Sequence, residues 1–442
     1  MSEEVTMRVG QMHRLAYGVL ALAALTLIPS MPRAQTEDAQ ATANWCATIR
    51  PGAGHPPINF TPVAVQVLQR SVEPVPATDG LIHLVYAAQA TNTQAQPIDI
   101  GSVVPVDALA GFTPTGRNLI TDGEGRDVAG TVKLFGASPD DIAPDDPEAE
   151  TMRSFSSRLP AGGSGLMFFN VTYPDATLIP RLLTHAITLV SADGGPSSPM
   201  LTNPVPVGCR RLAVLSPPLV GKGWTAFSGC CAVAGYHRDQ VPPINGILQA
   251  GQQFAIDFEE IGPNNTCCNG PNQVASSWWG YNTPVLAAAS GVVVQVVDGM
   301  PDQSPVGTVA NVPLANLGGN RVVEDIGGGQ YVLYAHLKPQ SIPTWIRKGV
   351  RLRAGELIGR VGNSGNSSAP HLHFQVTDAP EGLDATGLPF VFESQLLEGS
   401  VPEGAEPLLD SGAVVPIDPT GSGPRRNQMP ARNGVFGYNL SH

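Results

Sequence analysis

The residues most suited to chemistry are four histidines in the second half of the chain. Of nine histidines in the sequence, His237, His336, His371 and His373 fall between residues 230 and 380. His371 and His373 lie near the end of the stretch GNSGNSSAPHLHFQV, with one leucine between them. Side chains two apart on a β-strand project to one face, with their Cα atoms about 6.5–7 Å apart. The spacing predicts either imidazoles that converge on a ligand or two histidines on a solvated face.

An aspartate in an apolar strand pattern is the next candidate. Asp257 stands between Ile256 and Phe258 in the stretch QQFAIDFEE. A buried lone carboxylate is costly unless it is paired or binds a metal, so Asp257 either belongs to a site or faces outward. Two histidines and one carboxylate, with a fourth position open for water, are typical of hydrolytic zinc sites. Glu259 and Glu260 follow at the end of the strand and are expected to be solvated.

Three stretches together resemble the lysostaphin-type zinc metallopeptidases, which cut peptide cross-links of bacterial cell walls. GNSGNSSAPHLHFQV is similar to the His-x-His signature of that family and to the Gly/Ser-rich segment that precedes it. YVLYAHL resembles its Tyr-x-His-Leu segment, and TPVLAAASGVVVQV resembles the strand pair that follows the aspartate. The resemblance covers about residues 230–380, roughly a third of the chain.

The resemblance implies a role for each candidate residue. Asp257 and His373 would be zinc ligands. His371 would be the general base or a transition-state partner, and His336 would hydrogen-bond the attacking water or the developing oxyanion. Zn²⁺ is therefore the expected cofactor, since it makes hydroxide available near neutral pH.

One ligand position departs from the pattern of the family. The family usually has a histidine four residues before the aspartate, where this chain has Gln253. We expect His237, in the stretch GYHRD, to supply the third metal ligand from a longer loop. The rival hypothesis is an inactive site in which glutamine has replaced the ligand. Arg238, next to His237, is a candidate for binding a substrate carboxylate.

Six cysteines predict disulfides, because an even count in an exported chain favours them. Neighbouring cysteines bond each other only with strain, so the pair Cys230 and Cys231 is expected to bond across to Cys267 and Cys268. Cys46 and Cys209 would then bond to each other. A metal site of four thiolates is the alternative for the two neighbouring pairs.

The N-terminus and the charge of the chain bound its location and partners. Residues 1–34 carry basic residues, the apolar run LAYGVLALAALTLIP and a small-residue stop, which predict a signal peptide, with an uncleaved anchor as the alternative. We expect a secreted or periplasmic protein, in the cell envelope, with no stable membrane insertion after cleavage. The net charge of −12 and the absence of a Lys/Arg cluster argue against nucleic-acid binding.

The fold class predicted from the sequence is all-β. Glycine (49 residues) and proline (42 residues) are abundant, and helical periodicity is scarce. We expect an N-terminal β-sandwich-like domain at 46–212, an antiparallel β metallopeptidase domain with a groove at 218–380, and an irregular C-terminal extension at 381–442. The predicted function is an exported zinc metalloendopeptidase, a hydrolase whose substrate is the peptide part of peptidoglycan. The alternative is a catalytically inactive cell-wall regulator or binding protein on the same fold.

Overall fold

The computed structural model describes residues 46, 48–50, 52–115, 132–134, 155–156, 158–190, 198–231, 237–238, 240–308 and 312–438. The predicted signal peptide at 1–34 lies outside these residues. Strands dominate the described residues, with one short α-helix and a few 3-10 turns among them, so the predicted all-β fold class is confirmed. Within this part of the chain, no helix combines the length and hydropathy that crossing a bilayer requires.

The first half of the described chain forms two antiparallel sheets. Its strands are β1 (Val63–Val67), β2 (Pro74–Pro76), β3 (Ile82–Asn92), β4 (Ile98–Asp107), β5 (Thr113–Pro114), β6 (Val132–Leu134), β7 (Phe155–Ser156), β8 (Arg158–Leu159), β9 (Ser164–Tyr173), β10 (Leu182–Val190), β11 (Met200–Leu201) and β12 (Val205–Pro206). One sheet has the order β1-β3-β9-β6-β7, with β2 beside β3. The other has the order β11-β10-β4-β5, with β12 beside β10 and β8 beside β4.

A buried core lies between these two sheets. Tyr86 on β3 and Phe169 on β9 are register partners, and their rings stack at a centroid distance of 4.7 Å. The Tyr86 hydroxyl reaches across to the second sheet, where it lies 2.6 Å from His185 Nε2 on β10. The two sheets therefore share one core, and we refer to residues 63–206 as the sandwich.

The second half is built on one large sheet. The strands of the second half are β13 (Ala213–Leu215), β14 (Gly221–Phe227), β15 (Pro243–Ile244), β16 (Ile247–Leu248), β17 (Ile256–Glu260), β18 (Pro284–Leu286), β19 (Gly291–Val297), β20 (Asn320–Gly327), β21 (Gln330–Leu337), β22 (Arg351–Leu352), β23 (Leu357–Arg360), β24 (Leu372–Thr377), β25 (Gly387–Leu388), β26 (Phe390–Phe392), β27 (Gln395–Ser400), β28 (Gly423–Arg425) and β29 (Gly434–Tyr438), and its helix α1 is Ala405–Asp410. The large sheet has the order β22-β19-β20-β21-β24-β17-β14-β29-β27-β28, with β25 beside β24.

The centre of this sheet separates an apolar face from a polar one. On β17 and β24, Phe258 and Phe374 belong to the largest hydrophobic core, and both are fully buried. Successive side chains of a strand point to opposite faces, so Asp257 and His373 project away from that core. Apolar and polar residues alternate here because one face must pack and the other must hold the polar groups.

The C-terminal extension was predicted to be irregular, but it contains regular strands. Strand β29 pairs with β14 inside the large sheet, and β27 pairs with β29. Strand β26 pairs in parallel with β13, which precedes the large sheet in the chain. The prediction was wrong because proline and glycine dominate the composition of 381–442, whereas its short strands find partners far away in the sequence.

The disulfides follow the prediction at one position and contradict it at two. Cys46 is bonded to Cys209, as expected. The four remaining cysteines do not pair across the two loops, since the bonds are Cys230–Cys231 and Cys267–Cys268. The expected cross-link between the loops is therefore absent, and other contacts must hold the segment of His237 in place.

Candidate metal centre

Strand register brings Asp257 and His373 side by side. Strand β24 lies between β17 and β21, and His373 is opposite Asp257 on one side and Ala335 on the other. Residues directly opposite in an antiparallel pair have their Cβ atoms about 4.5–5.5 Å apart. Asp257 Oδ1 lies 2.9 Å from His373 Nδ1, which gives the centre two potential ligands on rigid strands.

His371 reaches the same carboxylate from the residue just before β24. Its Nε2 atom lies 3.3 Å from Asp257 Oδ1. A bridge to Gly362 fixes its backbone, and Nδ1 donates to the carbonyl oxygen of Ala369 at 2.7 Å. His371 and His373 thus project to one region, as the spacing of two predicted.

His237 contacts the other oxygen of the carboxylate. Its Nε2 atom lies 3.1 Å from Asp257 Oδ2, and its Nδ1 lies 3.4 Å from the carbonyl oxygen of Ala255. One ligand atom each from His237, Asp257 and His373 lies within 4.8 Å of the others, which is close enough to hold one ion. The structure therefore brings together the three residues that were predicted as metal ligands.

His336 completes the cluster from the end of β21. Its ring centroid lies 4.7 Å from that of His371 and 5.7 Å from that of His373. Nδ1 donates to the carbonyl oxygen of Ser364 at 2.7 Å. Its φ of 59° lies in the left-handed region, which non-glycine residues seldom adopt. This backbone turn directs the side chain toward the other histidines.

Gln253, at the position where the family usually has a ligand, is engaged elsewhere. Its Nε2 donates to the carbonyl oxygen of Val85 at 2.7 Å, and its Oε1 accepts from Gln69 Nε2 at 2.7 Å. Both polar ends of the amide are thus bonded to the sandwich.

Hydrogen bonds orient the imidazoles, and in three of them one ring nitrogen faces the Asp257 carboxylate. Backbone carbonyl oxygens only accept, so the ring nitrogens bonded to them in His237, His336 and His371 carry the proton. In His373, Nε2 lies 2.9 Å from Gln375 Oε1, while Gln375 Nε2 donates to Gly382.

When such an imidazole is neutral, its other ring nitrogen bears a lone pair. For His237, His371 and His373 this nitrogen is the one beside Asp257. Beside an ionised carboxylate each of these nitrogens needs either a proton or a metal ion, and imidazole and carboxylate suit zinc. The donor set fits a metal ion on chemical grounds.

Burial and neighbouring charges set the protonation of the cluster. Burial raises the pKa of Asp257, but the charges of His237 and His371 outweigh it, and the pKa lies well below its usual value. Burial lowers the pKa of those two histidines, yet the Asp257 carboxylate leaves both pKa values raised. The pKa of His336 lies well below its usual value because of burial and the nearby His371 and His373. Asp257 is therefore ionised and His336 neutral near pH 7.

Carboxylates that the sequence did not mark lie near the centre. Glu259 was expected to be solvated but is 3% exposed. Burial and, as a smaller effect, the charges of Asp410 and Glu406 raise the pKa of Glu259 well above its usual value. Burial also raises the pKa of Glu406 to about 7 and that of Asp410 to about 6. Both residues lie on α1, whose Ala405 and Leu409 pack in one hydrophobic cluster. The prediction for Glu259 was wrong because this helix covers its face of the sheet.

Comparison with known proteins places this site in a family. Residues 279–385 match the model of peptidase family M23, a range that contains His336, His371 and His373, with His237 and Asp257 ahead of it. Residues 279–385 are therefore similar to peptidase family M23, and the resemblance to the lysostaphin-type peptidases is confirmed. This family comprises zinc metallopeptidases and also includes inactive members.

Solved structures give weaker likenesses. A catalytic-domain mutant of the prophage-encoded M23 protein EnpA from Enterococcus faecalis is 17% identical, over 39% of this chain and 92% of that chain, with a TM-score of 0.23. The catalytic domain of lysostaphin from Staphylococcus simulans is 21% identical, over 38% and 88%, with a TM-score of 0.21. A zinc-containing peptidase from Vibrio cholerae is 13% identical, over 66% and 77%, with a TM-score of 0.22. At such identities and TM-scores we infer nothing about activity from them.

Proposed function

We propose that this protein is an exported zinc metalloendopeptidase that hydrolyses peptide cross-links of bacterial peptidoglycan. The supporting observation is the convergence of imidazole nitrogens from His237, His371 and His373 on the two oxygens of Asp257, within 3.3 Å. In this proposal His237, Asp257 and His373 hold the metal, and His371 and His336 are catalytic.

The ligand set fits the expected ion. Two imidazoles and one carboxylate match the three protein ligands of hydrolytic zinc sites, which leave one position for water. Zinc, when bound, supplies Lewis-acid polarisation of the scissile carbonyl and lowers the pKa of water to about 7. Gln375 supports this arrangement, because its bond to His373 Nε2 leaves Nδ1 free to bind metal.

His371 is placed to move the proton. Ala369 holds its Nδ1–H, so Nε2 accepts a proton from the attacking water and returns it to the leaving amine. His336 is held by Ser364 in the same sense and is neutral, so its Nε2 accepts a hydrogen bond from the water. Between its two expected roles, this tautomer favours orienting the water over donating to an oxyanion.

Export is part of the proposal. The signal-like segment at 1–34 predicts it, and the disulfides Cys46–Cys209, Cys230–Cys231 and Cys267–Cys268 are typical of an oxidising compartment. A cell-envelope location would place the peptidase beside its proposed substrate.

A second candidate function is a non-enzymatic cell-wall regulator on the same fold. The observation that favours it is Gln253, a residue that does not bind zinc well, at the usual ligand position. Against it stands His237, whose Nε2 lies 3.1 Å from Asp257 Oδ2 and supports the proposed third ligand.

Two measurements on purified protein separate these functions: zinc content and release of new amino groups from purified peptidoglycan. The peptidase proposal expects one zinc per chain and amino-group release that His371→Ala slows by about 10²–10⁴-fold while zinc is retained. Zinc binding without release of amino groups would favour the regulator. A protein without zinc would overturn the metallopeptidase.

A further inference from the structure

We infer that the sandwich completes the metal centre. Arg238 is anchored on the sandwich and thereby positions its neighbour, the ligand His237, against Asp257. This inference rests on the proposed function, since it takes His237 as a metal ligand. It assigns a structural task to the first domain and makes metal binding depend on how the two halves of the chain dock.

His237 does not lie on a strand that could fix it. The described residues His237 and Arg238 form a turn, closed by a bond from Gln240 N to His237 O at 3.3 Å. Asp257 and His373, by contrast, are held by the register of the large sheet. Besides the contact of its Nδ1 with the Ala255 carbonyl oxygen, the place of the His237 ring depends on contacts of its neighbours.

Arg238 supplies the principal contact. Its side chain is buried, and Nη2 donates to the carbonyl oxygens of Tyr86 at 2.8 Å and Phe169 at 2.9 Å. The guanidinium also lies over the ring of Phe168, 5.6 Å from its centroid. All three partners belong to β3 and β9 at the centre of one sandwich sheet. Arg238 is thus a buried anchor rather than the carboxylate-binding residue considered from the sequence.

Further hydrogen bonds join the same sandwich sheet to the half of the chain that carries the metal centre. Asn170, on β9, donates from Nδ2 to the carbonyl oxygen of Cys231, which precedes His237 in the chain. Gln253 is bonded to Gln69 and to Val85 of β3. The chain is therefore fastened to the sandwich before His237, directly after it, and again ahead of Asp257.

These contacts give the departure from the family pattern a physical reason. The side chain four residues before Asp257 bonds the sandwich, and the imidazole is delivered by a segment that the sandwich holds. A ligand on a turn loses its orientation when its anchor is removed, so the metal should bind more weakly. Loss of an outer-shell partner typically lowers metal affinity about 10- to 100-fold.

The experiment compares Arg238→Met with a matched control, Arg210→Met. Arg210 also donates from its guanidinium to a carbonyl of the other half, that of Gly329 at 3.2 Å, but neither partner adjoins a site residue. Zinc affinity is measured by competition with a chromophoric chelator on the full chain. The visible spectrum of the Co²⁺-loaded protein reports the ligand set, with His237→Ala as the reference for a missing imidazole.

Arg238→Met should lose about 10- to 100-fold in zinc affinity and should shift the Co²⁺ spectrum toward that of His237→Ala. Arg210→Met should match the wild type in both. Wild-type affinity and spectrum in Arg238→Met would overturn the inference and leave the proposed function standing. A wild type that binds neither metal would overturn the proposed function itself.

Arg238→Lys keeps the test decisive if the methionine variant fails to fold. Lysine retains the charge but is shorter and cannot place a planar fork between two carbonyls. It should fold and bind zinc with an intermediate affinity. Full wild-type affinity and an unchanged Co²⁺ spectrum in this variant would also contradict the inference.

Discussion

His237 Nε2 lies 3.1 Å from Asp257 Oδ2, although the β15–β16 hairpin separates the two residues in the chain. The closer sequence neighbour, Gln253, is bonded to the sandwich instead. The imidazole beside Asp257 thus comes from a segment other than the four residues before it. In the proposed function, this relationship decides whether the chain keeps three metal ligands or two.

His237→Ala should therefore remove a metal ligand. We expect the zinc affinity to fall by at least about 100-fold, the upper end of what outer-shell losses produce, because a direct ligand is lost. Chelator competition measures the change. The control is His55→Ala, which removes an exposed histidine of the first half and should leave zinc affinity unchanged. Equal affinities in the two variants would exclude His237 as a ligand.

His371→Ala should separate catalysis from metal binding. His371 is proposed to move a proton, a contribution typically worth about 10²–10⁴-fold in rate. We expect a loss of kcat in that range on peptidoglycan peptides, with zinc content unchanged. A second cluster of close ligand atoms, from His336, His371 and His373, offers the rival site. If the metal occupied that cluster, His371→Ala would lose zinc together with activity.

Much of this site could be predicted from the sequence, because strands impose a period of two. The alternation around Asp257 and around His373 predicts side chains on one face, and the register of β17 and β24 brings them together. The resemblance to the family added His336 and His371. These residues lie on or beside strands whose local pattern is strong.

The rest depends on contacts between distant segments, which no local pattern records. Nothing in the stretch around Glu406 marks it as a neighbour of Asp257, because α1 returns to the sheet from a proline-rich extension. The bonds within Cys230–Cys231 and Cys267–Cys268 depend on loop paths for the same reason. Arg238 is only a candidate substrate contact in the sequence, because its partners, Tyr86 and Phe169, lie far away along the chain.

The disulfide Cys46–Cys209 should stabilise the sandwich. It closes a loop with a sequence separation of 163 residues, which contains the whole sandwich. Such a cross-link reduces the entropy of the unfolded chain, and its removal typically costs about 2–5 kcal/mol. The double variant Cys46→Ser, Cys209→Ser should lower the free energy of unfolding in urea by that amount. An unchanged unfolding midpoint under oxidising conditions would contradict this role.

The stability of the sandwich should depend on the protonation of His185. This residue is 1% exposed, and burial lowers its pKa to about 4, compared with 6.5 for the free side chain. Between these two values the unfolded state binds the proton and the folded state does not. The contribution of His185 to stability is therefore fully present above pH 6.5 and declines as the pH falls toward 4.

His185→Gln tests this pH dependence, because an amide oxygen can still accept from Tyr86 and carries no titrating proton. From pH 7.5 to pH 5, the wild type should lose about 2 kcal/mol more unfolding free energy than the variant, as proton linkage at these pKa values requires. Urea unfolding of both proteins at the two pH values measures the difference. Parallel losses in the two proteins would show that His185 is not the titrating group, whereas a smaller loss in His185→Gln would assign the acid sensitivity of the sandwich to this one buried imidazole.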